Sequence, residues 1–237
     1  MKLFPALLLT MLLIPLAAAC GGDDDDGSGS TGTGDPFHQV LATMVLQIDD
    51  VPQGMQSLGG SFSTNADAAS GLGSGPTEAQ LDAWGRILGH KNDFQATEPA
   101  TESAITAIST SVSIYETAQG TSDSFTDRVT SARAVDWATS HSDLTEFEQE
   151  ELERDLGVDD MLWLHFTGYK EIGAGDRRLI SDDQIVFRVD RAWGFVGAVS
   201  TAAAGVEDRA FMLQQLEVLA RTQAQHMRDG LKSDALE

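Results

Sequence analysis

The chain has 237 residues, of which 15 are basic and 37 are acidic, so its formal net charge at neutral pH is −22. A surface this acidic repels polyanions, which excludes nucleic acid as an expected partner. Cys20 is the only cysteine, so an internal disulfide is excluded and the folded part must be held together by packing.

The first twenty residues have the pattern of a secretory signal. Lys2 gives a positive start, Leu3 to Leu16 is an almost unbroken apolar run, and Ala17 to Ala19 places small side chains before Cys20. This segment resembles a bacterial lipobox. The resemblance implies that residues 1–19 are cleaved and that Cys20 carries lipid, which would hold the protein at the outer face of a bacterial membrane, either a cell membrane or an outer membrane. Plain secretion and an uncleaved span are the alternatives, although the apolar run is shorter than the roughly 20 residues a span requires.

Residues 20–35 predict a flexible acidic linker. From Gly21 to Asp35 the chain reads GGDDDDGSGSTGTGD, without one apolar side chain. Cleavage would remove the basic Lys2 and no acidic residue, which makes the charge −23. Residues 36–237 have the length of one ordinary domain.

The first half of that domain predicts two helices and two strands. Apolar residues at helical spacing predict a helix over residues 37–49. A short strand is expected around Ser61 to Ser63. Thr77 and Gln80 form a capping box, which predicts a helix whose apolar stripe runs through Leu81, Trp84, Ile87 and Leu88. Ala104 to Tyr115 alternates like a strand with one dry face.

The second half predicts a helical region over Ser124 to Leu156, which ends in an acidic run interpreted as a solvated helix face and not as a cation site: Glu146, Glu148, Glu150, Glu151, Glu153 and Asp155. Met161 to Tyr169 is apolar on both faces, as in a central strand. Gln184 to Ser200 predicts a hairpin that turns near Asp190. Val206 to Leu231 predicts a long helix ended by Gly230, and its shared face carries Met212, Leu216, Leu219, Gln223 and Met227. The element order predicts an α+β fold, with an antiparallel sheet packed against helices.

Two sequence segments resemble parts of a known group of domains. SVSIYETA at residues 111–118 and IVFRVDRAWGFVGAV at residues 185–199 are similar to segments of extracellular sensor-type domains of actinobacterial lipoproteins and receptor kinases, whose fold is related to the PsbP-like group. The resemblance implies an extracellular sensor-type domain and assigns no individual residue a role; the predicted anchor, the spacer and the lack of a catalytic motif favour a non-catalytic binding or sensing module.

No catalytic or metal-binding motif is present in the sequence, so no catalytic residue, metal site or cofactor is predicted. The glycine-rich residues 71–75 lack the spacing of a nucleotide loop and are interpreted as a turn. Ser140 to Asp143 contains triad residue types in a row, which predicts a helix junction capped by Ser142 or Asp143. His165 lies in an apolar strand and is interpreted as a hydrogen-bonded core histidine.

Two further groups of residues have structural interpretations. The four tryptophans are expected to pack in the core, with pocket lining as the alternative: Trp84, Trp137, Trp163 and Trp193. Three acid pairs are expected at helix caps or turns: Asp49-Asp50, Asp159-Asp160 and Asp182-Asp183.

The sequence therefore favours a membrane-anchored binding or sensing module whose ligand is a small molecule, an envelope polymer or a protein. One alternative is an extracytoplasmic hydrolase that uses paired carboxylates, for instance Glu116 or Asp136. The other is a structural or assembly role in the envelope.

Overall fold

The computed structural model describes residues 35–70, 75–98, 104–173, 175–203 and 209–236. The predicted signal peptide, Cys20 and the linker up to residue 34 lie outside the described residues, as do most of the glycine-rich turn and the predicted start of the last helix. Within the described ranges, no helix is both long and apolar enough to cross a lipid bilayer.

The fold is α+β, as predicted. Seven strands form one antiparallel sheet in the spatial order β1-β2-β3-β7-β6-β5-β4. Their bounds are β1 Met55–Ser63, β2 Arg86–Ala96, β3 Ala104–Tyr115, β4 Thr145–Glu151, β5 Asp160–Glu171, β6 Arg177–Val189 and β7 Ala192–Ala203.

The helices lie on both faces of this sheet. They are α1 Pro36–Thr43, α2 Asn65–Ala69, α3 Glu78–Ala83, α4 Ala118–Ala134, α5 Trp137–Ser140 and α6 Arg209–Gly230, followed by a 3-10 turn at Asp234–Leu236. Residues of α1 and α6 belong to the larger apolar cluster on one face. Residues of α4 and α5 belong to a smaller cluster on the other face.

β5 shows how one strand serves both clusters. Trp163 is fully buried in the cluster beneath α6, whereas Leu162, Leu164 and Phe166 are buried in the cluster beneath α4 and α5. Successive side chains of a strand point to opposite faces, so a strand covered on both sides must be apolar throughout. The predicted central strand is confirmed.

The first predicted helix is too long. α1 ends at Thr43 and not at residue 49, and the next three residues, Met44 to Leu46, are fully buried outside the helix. The following turn is closed by the backbone N–H of Gln47, which donates to Asp50 Oδ2 at 2.7 Å. The sequence keeps a helical spacing of apolar residues beyond Thr43, but burial of Met44 to Leu46 in the core stabilises a non-helical conformation there.

The capping box is confirmed, but the apolar stripe assigned to its helix is wrong. The hydroxyl of Thr77 accepts from the backbone N–H of Gln80 at 3.3 Å, and the side chain of Gln80 accepts from the backbone N–H of Thr77 at 2.9 Å. α3 nevertheless ends at Ala83 with Trp84 as its C-cap, and Ile87 and Leu88 lie in β2, where Ile87 is 41% exposed. The predicted short strand near Ser63 is the end of the longer β1.

The largest correction concerns residues 145–151. They form the edge strand β4 and not the acidic end of a helix, because helical structure stops with α5 at Ser140. In this strand the side chains of Glu148 and Glu150 lie on one face of the sheet and that of Glu151 on the other, whereas a helix would have placed these residues along one solvated surface. An edge strand rich in charge also resists pairing with other chains.

Other predicted elements are confirmed. The strand over Ala104–Tyr115 has the predicted bounds, and β6 and β7 form the predicted hairpin, with Asp190 at its turn in a left-handed conformation (φ 49°). All five residues predicted to share the inner face of α6 are buried. Gly230 is the last residue of α6.

Candidate functional site

Asp182 and Asp183 lie in the middle of β6, so the prediction that they cap or turn an element is wrong. β6 begins at Arg177, seven residues earlier than the predicted strand. Alternation along the strand then sends the two carboxylates to opposite faces. Asp183 lies opposite His165 of β5, and Asp182 lies opposite Phe166.

Asp183 is a buried carboxylate with three donors. Its Oδ1 accepts from Trp163 Nε1 at 2.8 Å and from His165 Nδ1 at 2.8 Å, and the hydroxyl of Ser181 donates to its Oδ2 at 3.1 Å. The Asp183 side chain is only 2% exposed. An ionised carboxylate can only accept hydrogen bonds, so these three donors compensate for its loss of solvation.

His165 is buried as predicted, but its hydrogen bonding is incomplete. Nδ1 bonds Asp183, whereas Nε2 has no hydrogen-bond partner among the described residues, although the side chain is 5% exposed. Because the carboxylate accepts, the hydrogen must lie on Nδ1, and in the neutral ring Nε2 then carries a lone pair. A buried polar atom without a partner costs about 1–3 kcal/mol, so Nε2 calls for a functional explanation.

His165 forms part of the wall of a cleft of about 850 Å³. The cleft lies on the sheet face that carries α6, where β4, β5 and β6 extend past the start of that helix. Its other lining side chains include Glu146, Glu148, Glu150, Thr167, Tyr169, Leu179 and Arg209. The volume is within the usual range of small-molecule sites.

Two of the three lining glutamates are already neutralised. Glu146 accepts from Arg177 at 2.5 Å, and that guanidinium lies 4.0 Å from the centre of the Tyr169 ring. Glu150 is bonded to Arg209, the first residue of α6. The carboxylate of Glu148 has neither a hydrogen bond nor an ion pair within the described part of the chain.

The chain matches no protein-family model and no curated protein. Its structure is similar to the extracellular domain of PknH from Mycobacterium tuberculosis. The TM-score is 0.45 and the sequence identity 11%, over 76% of this chain and 93% of that chain.

A second, shallower cleft of about 580 Å³ lies beside the first and shares Glu150 and Arg209 with it. It is formed by residues 150–154 and the first turn of α6. None of its lining residues holds a buried side-chain nitrogen or oxygen that lacks a hydrogen-bond partner. It therefore gives less indication of a ligand than the first cleft.

His90 offers an internal comparison for His165. Its Nδ1 is also buried without a partner in the described ranges, and burial lowers the pKa of its ring. Its ring lies against Phe62, with centroids 4.5 Å apart. Like His165, His90 has one buried ring nitrogen without a described partner, but it lines neither of the two clefts.

The tryptophans and the proposed catalytic acids lie elsewhere. Trp137 and Trp163 are buried, Trp84 and Trp193 are half-buried, and none of the four lines either cleft. Asp136 caps α5 by accepting from the backbone N–H of Thr139. Glu116 packs beside Gly85. The structure thus brings neither acid to the clefts, and no described group of three or more His, Cys, Asp or Glu side chains is arranged to hold a metal ion.

On the opposite face, His141 is bonded at both ring nitrogens. Nδ1 lies 2.9 Å from the carbonyl oxygen of Trp137, and Nε2 lies 3.2 Å from Asp182 Oδ2. Two acceptors require two N–H donors, which only the imidazolium provides. The residue ends α5, as the predicted junction requires, but the predicted cap is wrong, because Asp143 instead accepts from Lys170 Nζ at 2.6 Å.

This contact predicts a pH dependence of stability. The hydrogen bond to Asp182 raises the pKa of His141 above its ordinary value near 6.5. A raised folded-state pKa means that the stabilisation is fully present below the unfolded pKa and is lost as pH rises through the folded pKa. We expect the free energy of unfolding, measured in urea from pH 5.5 upward, to fall over that window in the native chain. In His141→Asn this component should be absent; an unchanged pH profile would contradict the assignment.

Proposed function

We propose that this protein is a lipid-anchored extracytoplasmic binding or sensing module, which takes a small ligand in the cleft walled by His165. In this proposal lipid on Cys20 holds the chain at the outer face of a bacterial membrane. The acidic linker keeps a strongly negative domain away from an anionic lipid surface.

The observation that carries the proposal is the free Nε2 of His165. The Asp183 carboxylate holds the ring through Nδ1, Nε2 is buried without a described partner, and His165 lines the cleft; in the neutral ring Nε2 is an acceptor. A ligand that donates a hydrogen bond to Nε2 would remove the cost of the unpaired atom, and ordered partners make such a contact directional. The orientation of the His165 ring is thus fixed before a ligand binds.

A thermal-shift experiment tests this proposal. The full chain, purified in detergent, is heated with putrescine, glucosamine, glucose or succinate in turn. We expect the melting temperature to rise with at least one compound. His165→Gln should lose the rise, whereas the matched variant His90→Gln, which alters the other buried histidine with an unpaired nitrogen, should keep it. No rise with any of the four compounds, or an equal loss in both variants, would contradict the proposal and favour a structural or assembly role.

The hydrolase remains a second candidate, and the observation that favours it is the His165–Asp183 pair. A carboxylate-oriented imidazole with a free Nε2 can act as a general base toward water. Ser181 does not complete a nucleophilic triad, because its Oγ lies on the Nδ1 side of the ring and bonds the carboxylate. Mass spectrometry of a bound compound after incubation separates the two roles, since a binding module returns it unchanged.

A further inference from the structure

We infer that the cleft walled by His165 binds an organic cation through a primary ammonium group. This inference rests on the proposed function and adds the chemical class of the ligand. It follows from two features of the cleft. One lining carboxylate has no counterion in the described chain, and the lining groups without hydrogen-bond partners there can act as acceptors.

The first feature is an unbalanced negative charge. Arg177 neutralises Glu146 and Arg209 neutralises Glu150, which leaves Glu148 as the lining carboxylate without a counterion in the described chain. The whole protein carries a net charge of −22, so its field also attracts cations and repels anions. A carboxylate or phosphate ligand would meet this charge with no described cationic side chain of the lining left free to balance it.

The second feature is that the free groups lie together and can all accept. Glu148 lies directly opposite Thr167, and Glu150 lies directly opposite His165, so the four side chains share one face of the β4–β5 pair. Residues directly opposite have Cβ atoms about 5 Å apart. Glu148 and Thr167 thus lie side by side, next to His165 on the same wall of the cleft, and the ligand is inferred to bind among these three residues.

A primary ammonium matches these acceptors. It has three N–H donors and no acceptor, and the free groups offer a nitrogen lone pair, a carboxylate and a hydroxyl. Leu179 and the Tyr169 ring, which also line the cleft, provide apolar surface for the methylene groups behind such a charge. A bare metal ion fits less well, because no three ligating side chains of the described residues converge here.

Titration calorimetry of the full chain in detergent tests the ligand class with three probes of the same four-carbon length: putrescine, 1,4-butanediol and succinate. We expect only putrescine to bind, and sodium chloride to weaken its binding. Glu148→Gln should raise the putrescine dissociation constant about tenfold, because it replaces a charge-assisted hydrogen bond with a neutral one. Glu98→Gln removes an equal charge at the end of β2, outside both clefts, and should change the constant less than twofold.

The outcomes separate this inference from the proposed function. Binding of butanediol or succinate that depends on His165 would overturn the cation assignment and leave the binding cleft standing. Putrescine binding that Glu148→Gln and Glu98→Gln weaken equally would show general charge attraction and also overturn it. No binding of any probe would contradict both proposals.

Discussion

Replacing Asp183 with alanine is expected to lower the free energy of unfolding by several kcal/mol, because the buried N–H groups of Trp163 and His165 each lose an acceptor at a cost of about 1–3 kcal/mol. The carboxylate holds Trp163, His165 and Ser181 together from a position that solvent barely reaches. Without it, the indole and imidazole N–H groups of two core residues lose their acceptor. Urea denaturation followed by circular dichroism measures the change.

Asp93→Ala is the matched control. Asp93 also lies in a strand and contacts both Lys91 and Ser109, but its side chain is 28% exposed. Water can replace those contacts, so we expect a cost of about 0–1 kcal/mol. If Asp183→Ala cost no more than Asp93→Ala, the buried network would not be holding β5 to β6.

The Asp183 variant should also abolish ligand binding, even under conditions where the protein remains folded. The hydrogen bond from His165 Nδ1 determines which ring nitrogen is bare, and its loss frees the ring to rotate or to change tautomer. Binding that survives in Asp183→Ala would mean that the cleft does not depend on an oriented His165.

Replacing Cys20 with alanine is expected to move the protein from the membrane fraction to the soluble fraction. The proposed anchor is lipid on the Cys20 sulfur, and two or more acyl chains are what makes such attachment stable. Alanine cannot be acylated at its side chain, so this variant would carry no lipid at position 20. Gly21→Ala, which retains the cysteine, should remain in the membrane fraction. A Cys20→Ala protein still found with membranes would contradict the lipid anchor.

Where the sequence predicted the fold well, local pattern and tertiary packing agree. The alternating Ala104–Tyr115 segment and the doubly apolar centre of β5 are strands because each buries the faces that its pattern makes apolar. Where the prediction failed, the pattern of polar and apolar residues is compatible with both a helix and a strand. The run of glutamates after Thr145 is polar enough for a solvated helix and for an edge strand, and only pairing with β5 decides between them.

Only part of the candidate site could be predicted from the sequence. His165 was recognised as a histidine in an apolar strand, but its partner Asp183 was not, because the strand that holds it was predicted to start at Gln184, one residue after Asp183 and seven residues after the true start at Arg177. The register that brings Glu148, Thr167 and His165 onto one surface depends on long-range pairing, which a single sequence does not reveal.

The role of His165 can be read from ¹⁵N NMR of the histidine rings in the full chain, with the His165 signals assigned by their absence in His165→Gln. In the free protein Nδ1 of His165 should carry the hydrogen and Nε2 should be bare, and putrescine should shift the Nε2 signal while 1,4-butanediol leaves it in place. A hydrogen on Nε2 in the free protein, or an Nε2 signal unmoved at putrescine concentrations that saturate the calorimetric titration, would mean that His165 is not the contact residue of a ligand-binding cleft.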